Sequence, residues 1–361
     1  MNILLISYGN VDYDGRLRSL ITIFEAIGKV YSFTRGKQSE NNRNIICNLP
    51  YIQFIKKSVE FSRKIEKIDV LVLDNRKATI PGFFIQKIKH PTFLIQDCRE
   101  LYLLNEVKHF SGKVGCVFEK MMTQKADIVI CANKDRAEIM KKQYGLSKMP
   151  LTYENLRELQ YSSKQEYENA RIKFTSLINE DEIRLLSSSG CSIKRTNDIL
   201  VQNLKYVNKK CRLFLVGSYN EREAELIRKI AESDKVNTVN ILGQLNQTEL
   251  KYLISHSHIG IVNYGQYDTN NRLCASGKLY EFLYEGVPVV TTTNPPLKRI
   301  CQEMGIGVSD NKYADGINTI LANYNSFKEN VATFISHNSI KSNNEKLIIE
   351  ICQILKNSSK I

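Results

Sequence analysis

Long apolar runs, paired cysteines and a basic leader are all missing from this chain of 361 residues. No apolar run approaches the length of about 18 residues that spans a bilayer, so the sequence predicts no transmembrane helix. The nine cysteines stand singly, without any Cys-x-x-Cys pair. Their spacing argues against a disulfide framework and a zinc site, and it favours a reducing cytosol. The opening MNILLISYGN does not have the pattern of a secretory signal peptide.

Common cofactor motifs are also missing. The stretch SSSGCSIKRT (187–196) does not have the GxxxxGK[ST] spacing of a P-loop, and Gly9 and Gly15 do not form GxGxxG. The pair of histidines in HSH (256–258) stands without cysteines or carboxylates in register. We therefore expect neither a dinucleotide cofactor nor a metal site.

Positive charge is concentrated in the first part of the chain. Residues 1–150 hold 25 Lys and Arg against 15 Asp and Glu, whereas the remaining 211 residues hold 26 against 23. The apolar and basic stretch YIQFIKKSVEFSRKIEKI (51–68) adds to this excess. Such a surface attracts a polyanion, and the alternative is an ordinary solvated surface. No basic and aromatic RNA motif or helix-turn-helix pattern accompanies it, so nucleic acid is the weaker partner.

Short apolar strands alternate with helical spacing along most of the chain, as in NILLIS (2–7) and CRLFLVG (211–217). This alternation predicts α/β architecture with parallel sheets covered on both faces. The pattern stops in a polar stretch and then restarts, so we expect two Rossmann-like domains that face each other across a cleft. The predicted segments are an N-terminal domain (1–158), a linker (159–182), a C-terminal domain (183–335) and a final helical segment (336–361) that could pack on the first domain.

The stretch CASGKLYEFLYEGVPVV (274–290) combines a helix start with two opposite charges. Lys278 and Glu281 are three residues apart and share one helix face. Gly277 allows close approach of a ligand, and the helix N-terminus adds partial positive charge. A cation, a helix end and a carboxylate that accepts from vicinal hydroxyls would together hold a nucleoside diphosphate. The alternative is a surface salt bridge worth under about 1 kcal/mol.

Five segments, in order, resemble the retaining glycosyltransferases of family 4, which have the GT-B fold. They are DYDGRLRSL (12–20), IQDCRELYLLNE (95–106), EKMMTQKADIVICANKDRAEIMKKQYG (119–145), LSSSGCSIKRTNDIL (186–200) and NNRLCASGKLYEFLYEGVPVV (270–290). The last is similar to the pattern of capsule and exopolysaccharide members. The resemblance covers most of the chain.

The resemblance implies roles for particular residues. Glu281 would hold the nucleotide ribose, while Lys278 and Arg195 would neutralise the diphosphate, with Lys194 a weaker substitute for Arg195. Arg99 joins these three as a catalytic candidate. Further donor-site candidates are Gly9, Gly243, Gln244, Asn271, Ser276 and Gly277. Acceptor-side candidates are Asp14, Arg16, Asp97, Arg99 and Glu100.

Three positions depart from the family pattern. Leu273 stands where many members carry a second Glu, and Asn270 or Asn271 could replace that residue. Arg99 stands where the family has His, and a fixed cation there favours an acidic or phosphorylated acceptor. The alternative is a structural pair with the adjacent Glu100. Ser276 replaces the usual Pro before the Lys element.

The resemblance predicts sugar transfer from a nucleotide-sugar to a hydroxyl with retention and without a dedicated metal or cofactor. The expected acceptor is a lipid-linked saccharide of surface polysaccharide synthesis, and the expected location is cytoplasmic, peripheral on an anionic membrane. A nucleotide-sugar epimerase on the same fold is an alternative, and a basic nucleic-acid-binding protein is a second.

Overall fold

Strands and helices alternate along the chain, as the apolar patterning predicts. The computed structural model describes residues 1–233 and 238–358. Contacts within the chain divide it into two units. The first unit holds Met1–Asn155, Asp268–Asn270 and the chain from Ile340 onward. The second unit holds Leu156–Tyr267 and Asn271–Ser339.

The elements of the described residues have the following bounds. The strands are β1 (Asn2–Asn10), β2 (Lys29–Arg35), β3 (Ser39–Glu40), β4 (Asn44–Cys47), β5 (Val70–Asp74), β6 (Phe93–Cys98), β7 (Ile128–Cys131), β8 (Leu151–Thr152), β9 (Ile183–Ser187), β10 (Cys211–Val216), β11 (Val239–Gly243), β12 (Ile259–Val262), β13 (Val289–Thr291) and β14 (Gly307–Ser309). The α-helices are α1 (Gly15–Ile27), α2 (Tyr51–Lys64), α3 (Thr79–Lys89), α4 (Phe110–Lys125), α5 (Lys134–Tyr144), α6 (Lys164–Phe174), α7 (Asn197–Asn203), α8 (Glu221–Ser233), α9 (Gln247–Ser255), α10 (Thr269–Arg272), α11 (Gly277–Tyr284), α12 (Pro295–Met304), α13 (Tyr313–Ala322), α14 (Tyr324–His337) and α15 (Ile340–Lys356). Short 3₁₀ turns lie at Arg76–Ala78, Thr175–Leu177, Ile193–Arg195 and Leu204–Tyr206.

One sheet runs through the first unit in the order β3-β4-β2-β1-β5-β6-β7-β8. The pairs are parallel, apart from the antiparallel pair of β3 and β4. Ile3 of β1 lies opposite Val30 of β2 and Val70 of β5. Because parallel strands are joined by crossover helices, both faces are covered, and all of β5 is buried.

Helices cover the two faces of this sheet with separate apolar clusters. On one face, Phe24 of α1 and Ile351 of α15 belong to the same cluster as Ile3. On the other face, Phe54 of α2, Ile85 of α3 and Met122 of α4 pack with the sheet. The last helix, α15, therefore belongs to the core of the first unit.

The second unit has a parallel sheet in the order β11-β10-β9-β12-β13-β14. Its first strand in the chain, β9, lies in the middle, between β10 and β12. One apolar cluster contains Phe214 and Phe282, and the other contains Leu215 and Ile317. Two Rossmann-like units, each with one largely parallel sheet, match the predicted fold class.

The predicted linker is part of the second unit. Residues 159–182, for which we predicted a linker, lie in the second unit, where Phe174 of α6 is buried in the core and Lys173 pairs with Glu249 at 2.6 Å. The polar stretch thus contains a helix, α6, that packs into the core of the second unit through an apolar residue. Residues 234–237 of the predicted C-terminal domain and 359–361 of the predicted final segment lie outside the described residues.

Candidate functional site

The loop that follows β9 passes close to the loop that follows β10. Gly190 has φ +63° and Gly217 has φ +130°. A Cβ on Gly190 would collide with the carbonyl oxygen of Ser218. Glycine is required because the backbone is left-handed and the approach is close. Both loops lie at the carboxyl edge of adjacent parallel strands, where α/β sheets bind ligands.

Asn197, at the start of α7, holds the β9 loop with its side-chain amide. Its Nδ2 donates to the carbonyl of Gly190 at 2.9 Å and to Ser189 Oγ at 3.0 Å. Its Oδ1 accepts from Asn263 Nδ2 at 2.8 Å. Both asparagines are buried, so these bonds are made away from water and fix the loop. Neither was predicted from the sequence, because an isolated Asn carries no motif signal.

Helix α11 begins at Gly277, and its second residue reaches the β9 loop. The Lys278 ammonium donates to the carbonyl of Ser188. The hydroxyl of Ser276, at the N-cap position, bonds the Tyr264 hydroxyl at 3.1 Å rather than capping the helix. The first-turn N–H groups and Lys278 therefore place positive charge at the same edge of the sheet.

Glu281 is buried, with 2% of its surface exposed, and Arg157 is its ion-pair partner. The Nε of Arg157 lies 2.9 Å from Oε1 of Glu281. Burial raises the pKa of Glu281, while Arg157 and then Lys278 lower it. The alternative of a surface salt bridge between Lys278 and Glu281 does not hold, because the carboxylate is buried and pairs with a different cation. Arg157 was not predicted from the sequence; it lies at the end of the predicted N-terminal domain (1–158), whereas the structure places it in the second unit.

Burial also acts on the cation of this pair of predicted residues. Burial, and then the charge of Arg195, lower the pKa of Lys278 to about 8, and Glu281 opposes this change. The amine therefore loses its charge as the pH rises through about 8 unless an anion is present. Such a group gains from binding a phosphate, because the anion restores its ordinary pKa.

Arg195 rather than Lys194 faces this cluster. The Arg195 guanidinium lies 3.9 Å from the centre of the Tyr264 ring and acts electrostatically on Lys278. Lys194 is exposed. Arg157, Arg195, Lys278 and Glu281 together form what we call the cationic cluster. It carries three positive charges and one negative charge, so it is suited to an anion of about two charges.

Two further donor-site candidates lie at the end of β11. Gly243 has φ +66°, and its carbonyl accepts from the amide of Gly217 at 2.7 Å, which joins the β10 and β11 loops. Gln244 is exposed. The carbonyl of Asn271 accepts from Asn294 Nδ2 at 3.0 Å, and Leu273 is buried in place of the family carboxylate.

Arg99, in the first unit, is engaged by carboxylates of its own unit. Its Nε donates to Asp74 Oδ1 at 3.0 Å, and its terminal nitrogens contact Asp74 and Asp14. Burial lowers the pKa of Arg99, but the two carboxylates raise it above its usual value, so the guanidinium stays charged. The partner is not Glu100, which accepts from Asn75 Nδ2 at 3.2 Å. Arg99 therefore does form a structural ion pair, but with Asp74 and Asp14 and not with the adjacent Glu100.

A second buried pair joins two more acceptor-side candidates. Arg16 donates through Nε to Asp97 at 3.0 Å and through a terminal nitrogen at 2.7 Å, which is a bidentate pair. A further nitrogen of Arg16 donates to the carbonyl of Tyr153 at 2.7 Å. Asp97 is fully buried, so this pair fixes the ends of β6 and α1 rather than presenting a free carboxylate.

Gly9 and Asp14 meet near the end of β1. The structure extends β1 to Asn10, so Gly9 lies in the strand, although the sequence predicted a strand only over NILLIS (2–7). A Cβ on Gly9 would lie 3.0 Å from Asp14 Oδ2 and from Ser7 Oγ, and the carboxylate of Asp14 caps α1 by accepting from the amide of Leu17. Bulk at residue 9 is excluded by the unit's own side chains.

Asn270 belongs to the first unit, although Asn271 belongs to the second. The Oδ1 of Asn270 accepts from the amide of Leu101 at 3.1 Å and from Arg136 at 2.9 Å.

Among the described residues, no helix is long and apolar enough to cross a membrane. The same part of the chain contains no group of three or more His, Cys, Asp or Glu side chains that could hold a metal ion.

No protein-family model matches the chain, and no curated protein matches it either. Solved structures do match over nearly the whole length. Anabaena HepE, crystallised with UDP and glucose, aligns with a TM-score of 0.72 and 14% identity, covering 98% of this chain and 100% of its own. WaaG, a glycosyltransferase involved in lipopolysaccharide biosynthesis, aligns with a TM-score of 0.65 and 14% identity, covering 96% and 98%.

An epimerase has a similar fold. UDP-GlcNAc 2-epimerase from Neisseria meningitidis, bound to UDP-GlcNAc, aligns with a TM-score of 0.62 and 15% identity, covering 99% of this chain and 100% of its own. Likeness at such identities establishes fold rather than activity. The comparisons confirm the predicted fold class: this chain has the two Rossmann-like domains of the GT-B fold.

Proposed function

We propose that this protein is a glycosyltransferase that moves a sugar from a nucleotide-sugar to an acceptor hydroxyl with retention of configuration. The cationic cluster at the carboxyl edge of the second unit carries the proposal. Arg157 and Lys278 act on a single buried carboxylate, Glu281, and Arg195 acts on Lys278, whose pKa is lowered to about 8 where an anion is absent. A nucleoside diphosphate would supply the charge that this arrangement needs.

In this proposal each group of the cluster has one task. Arg195, Lys278 and the first-turn N–H groups of α11 bind the diphosphate, and Glu281 accepts from the ribose hydroxyls. Gly190 and Gly277 let the backbone approach the phosphates. We propose that Gly243 and Gln244 lie beside the base, and that Gly9, Asn271 and Ser276 belong to the same donor site. We expect the reaction to need no cofactor and no dedicated metal.

The chemistry is a displacement at the anomeric carbon. The bond from that carbon to the diphosphate oxygen breaks, and its electron pair leaves with the diphosphate, whose charge Arg195 and Lys278 stabilise. The acceptor oxygen forms the new bond on the same face. Its proton passes to an oxygen of the leaving phosphate, so no enzyme nucleophile is required.

A lipid-linked saccharide is the acceptor that we propose, with surface polysaccharide synthesis as the setting. The support is the outer surface of α2, α3 and α4, which are neighbours in one layer of the first unit. Exposed apolar side chains alternate there with lysines. We call this the basic apolar face, and its residues are Ile52, Lys56, Phe84, Lys87, Ile88, Phe110, Lys113, Val117 and Lys120. Such a surface suits an anionic bilayer, so we propose a peripheral, cytoplasmic location.

The candidates of the first unit take the acceptor side in this proposal. Asp14, Arg16, Asp97, Arg99 and Glu100 lie at the carboxyl end of its sheet. Because Arg16 and Arg99 are already paired, we propose that they act as fixed walls that shape the acceptor site. An acidic acceptor could contact Arg99 directly only at the exposed edge of the guanidinium, because Nε and one terminal nitrogen already donate to Asp74.

Nucleotide-sugar epimerisation is a second candidate, favoured by the likeness to the Neisseria epimerase. The test is product analysis after incubation with UDP-, GDP- and dTDP-sugars, with and without a lipid-linked saccharide extract. We expect nucleoside diphosphate release that depends on the acceptor, and a glycoside whose anomeric configuration matches the donor. If an isomerised nucleotide-sugar forms without acceptor, that result contradicts glycosyl transfer and supports epimerisation.

A further inference from the structure

Arg157 reaches a buried carboxylate from an exposed position. It lies between β8 and α6, outside any helix or strand. Its side chain is 54% exposed, whereas that of Glu281 is 3% exposed, and Nε and Oε1 are 2.9 Å apart. Ion pairs between two exposed side chains contribute little. A pair with one buried partner differs, because removing the cation leaves a buried carboxylate without compensation.

The backbone around Arg157 is anchored, so the ion pair is not an accident of a loose loop. Leu159, two residues on, is 1% exposed and belongs to the core of the second unit. Its carbonyl accepts from Lys251 Nζ at 3.0 Å. The segment therefore presents Arg157 to Glu281 from a fixed position.

Of the residues that the structure describes, two cations act on the Glu281 carboxylate: Arg157, and Lys278 from the same helix. Among the elements that pack against α11, helix α9 carries Lys251, which pairs with Glu285 instead. Strands β12 and β13 contain no ionisable residues, and α14 places Phe334 against Tyr280. Arg195 acts on Glu281 only through its effect on Lys278.

We propose that Arg157 is a positioning residue of the nucleotide site, which holds Glu281 through Oε1 and leaves Oε2 for the ribose hydroxyls. This inference rests on the proposed function of Glu281. Arg157 does not need to touch the nucleotide. It acts through the carboxylate, whose orientation and charge it fixes before the ligand arrives, so less reorganisation accompanies binding.

The positioning role of Arg157 predicts a change in the pH dependence of nucleotide binding. Arg157 lowers the pKa of Glu281 and that of Lys278. Replacing it with a neutral residue should therefore raise both values. The acid limit of nucleotide binding, set by protonation of Glu281, should move to higher pH. The alkaline limit, set by deprotonation of Lys278, should move in the same direction.

The experiment is calorimetric titration with UDP, GDP and dTDP between pH 5 and 9, on the full chain. Arg157→Gln should weaken binding at pH 7 by on the order of tenfold, as expected when a buried carboxylate loses its ion-pair partner, and should move both limits upward. Arg157→Lys should restore the limits and part of the affinity. Arg171→Gln is the matched control, since Arg171 is 55% exposed and pairs with Glu168 on α6 at 2.8 Å. It should behave as wild type.

The outcomes separate the inference from the function on which it rests. Equal or tighter binding by Arg157→Gln, or a loss that is the same at every pH, would overturn the positioning role while leaving the nucleotide site intact. Should Arg157→Gln fold poorly, Arg157→Lys decides the question, because a wild-type pH profile supports the role and an unrestored profile contradicts it. Absence of nucleotide binding by the wild type would remove the proposed function and this inference together.

Discussion

The ammonium of Lys278 donates a hydrogen bond to the backbone carbonyl of Ser188, and so joins the first turn of α11 to the loop after β9. Both segments stand at the carboxyl edge of the sheet in the second unit. The same amine is held among Arg195, Arg157 and Glu281, which makes it the centre of the cationic cluster. The following predictions start from this arrangement.

Nucleotide binding should weaken at alkaline pH. The folded pKa of Lys278 is lowered from 10.5 to about 8, so in the free protein the amine is charged below that pH and neutral above it. Affinity for UDP should therefore fall as pH rises from 7.5 to 9, measured by calorimetry. Lys278→Arg keeps its charge throughout this range and should lose the dependence. An unchanged profile in that variant would assign the titration to another group.

Arg195 and the adjacent Lys194 form a matched pair for testing phosphate contacts. Arg195→Ala should reduce affinity for a nucleoside diphosphate by on the order of tenfold or more, because a charge-assisted contact is lost, and should leave nucleoside affinity nearly unchanged. Lys194→Ala should bind as wild type, since Lys194 is exposed. Both affinities can be measured by competition calorimetry. Equal losses in the two variants would show that charge in general, and not this contact, attracts the ligand.

Glu281 should distinguish ribose from deoxyribose. Glu281→Ala and Lys278→Ala should each lower transfer by on the order of 10²-fold while the protein stays folded. Glu281→Ala should also bind UDP and 2′-deoxy-UDP equally, whereas wild type should prefer UDP. Glu285→Ala is the control, because Glu285 ends the same helix and pairs with Lys251. Near-wild-type transfer in both site variants would remove the nucleotide-binding role.

Arg99 should matter first for stability. Asp74 is 1% exposed, so Arg99→Ala leaves a buried carboxylate without its partner and should lower the free energy of unfolding by about 3–5 kcal/mol. Arg99→Lys keeps the charge and should cost less. Lys57→Ala, which breaks the exposed pair with Glu60, should leave stability nearly unchanged. Urea denaturation measures all three. A small effect of Arg99→Ala on stability, with a raised acceptor KM, would instead favour direct acceptor contact.

The basic apolar face should bind anionic vesicles. Co-sedimentation with vesicles that contain phosphatidylglycerol should fall as salt rises, and should fall further in Phe110→Ser and Lys120→Gln. Ile172→Ser is the control, because Ile172 is 72% exposed on α6 of the second unit. If the control weakens binding as much as Phe110→Ser does, the face on α2–α4 is not the docking surface.

Much of the fold could be predicted from the sequence because its strong signals are local. Apolar strands such as β1 and β10 have flanking helices with clear periodicity, so the two α/β halves could be read directly. The short strands β3, β4, β8 and β14 were not predicted, since runs of two to four residues give too little alternation to detect. The end of β1 was predicted at residue 7 and lies at Asn10, because the strand continues after a register shift beyond Ile6.

Less of the site could be predicted, because its pairings are long-range. Lys278 and Glu281 were predicted from their spacing on one helix and Arg195 from a resemblance, and in the structure Arg195 and Glu281 both act on Lys278. Their partner Arg157 is 124 positions from Glu281 along the chain, and no local pattern connects the two. The pairing of Arg99 with Asp74 is also long-range, and the sequence suggested the adjacent Glu100 as the partner instead.

Calorimetric titration of the wild-type protein with UDP, GDP and dTDP, repeated with Lys278→Ala, tests the central claim most directly. We predict that at least one of these diphosphates binds the wild type in a one-to-one complex, with the corresponding nucleoside binding much more weakly. We predict that Lys278→Ala loses most of the diphosphate affinity. If none of the three binds the folded wild-type protein, or if Lys278→Ala binds as well as wild type, the cationic cluster is not a nucleotide site.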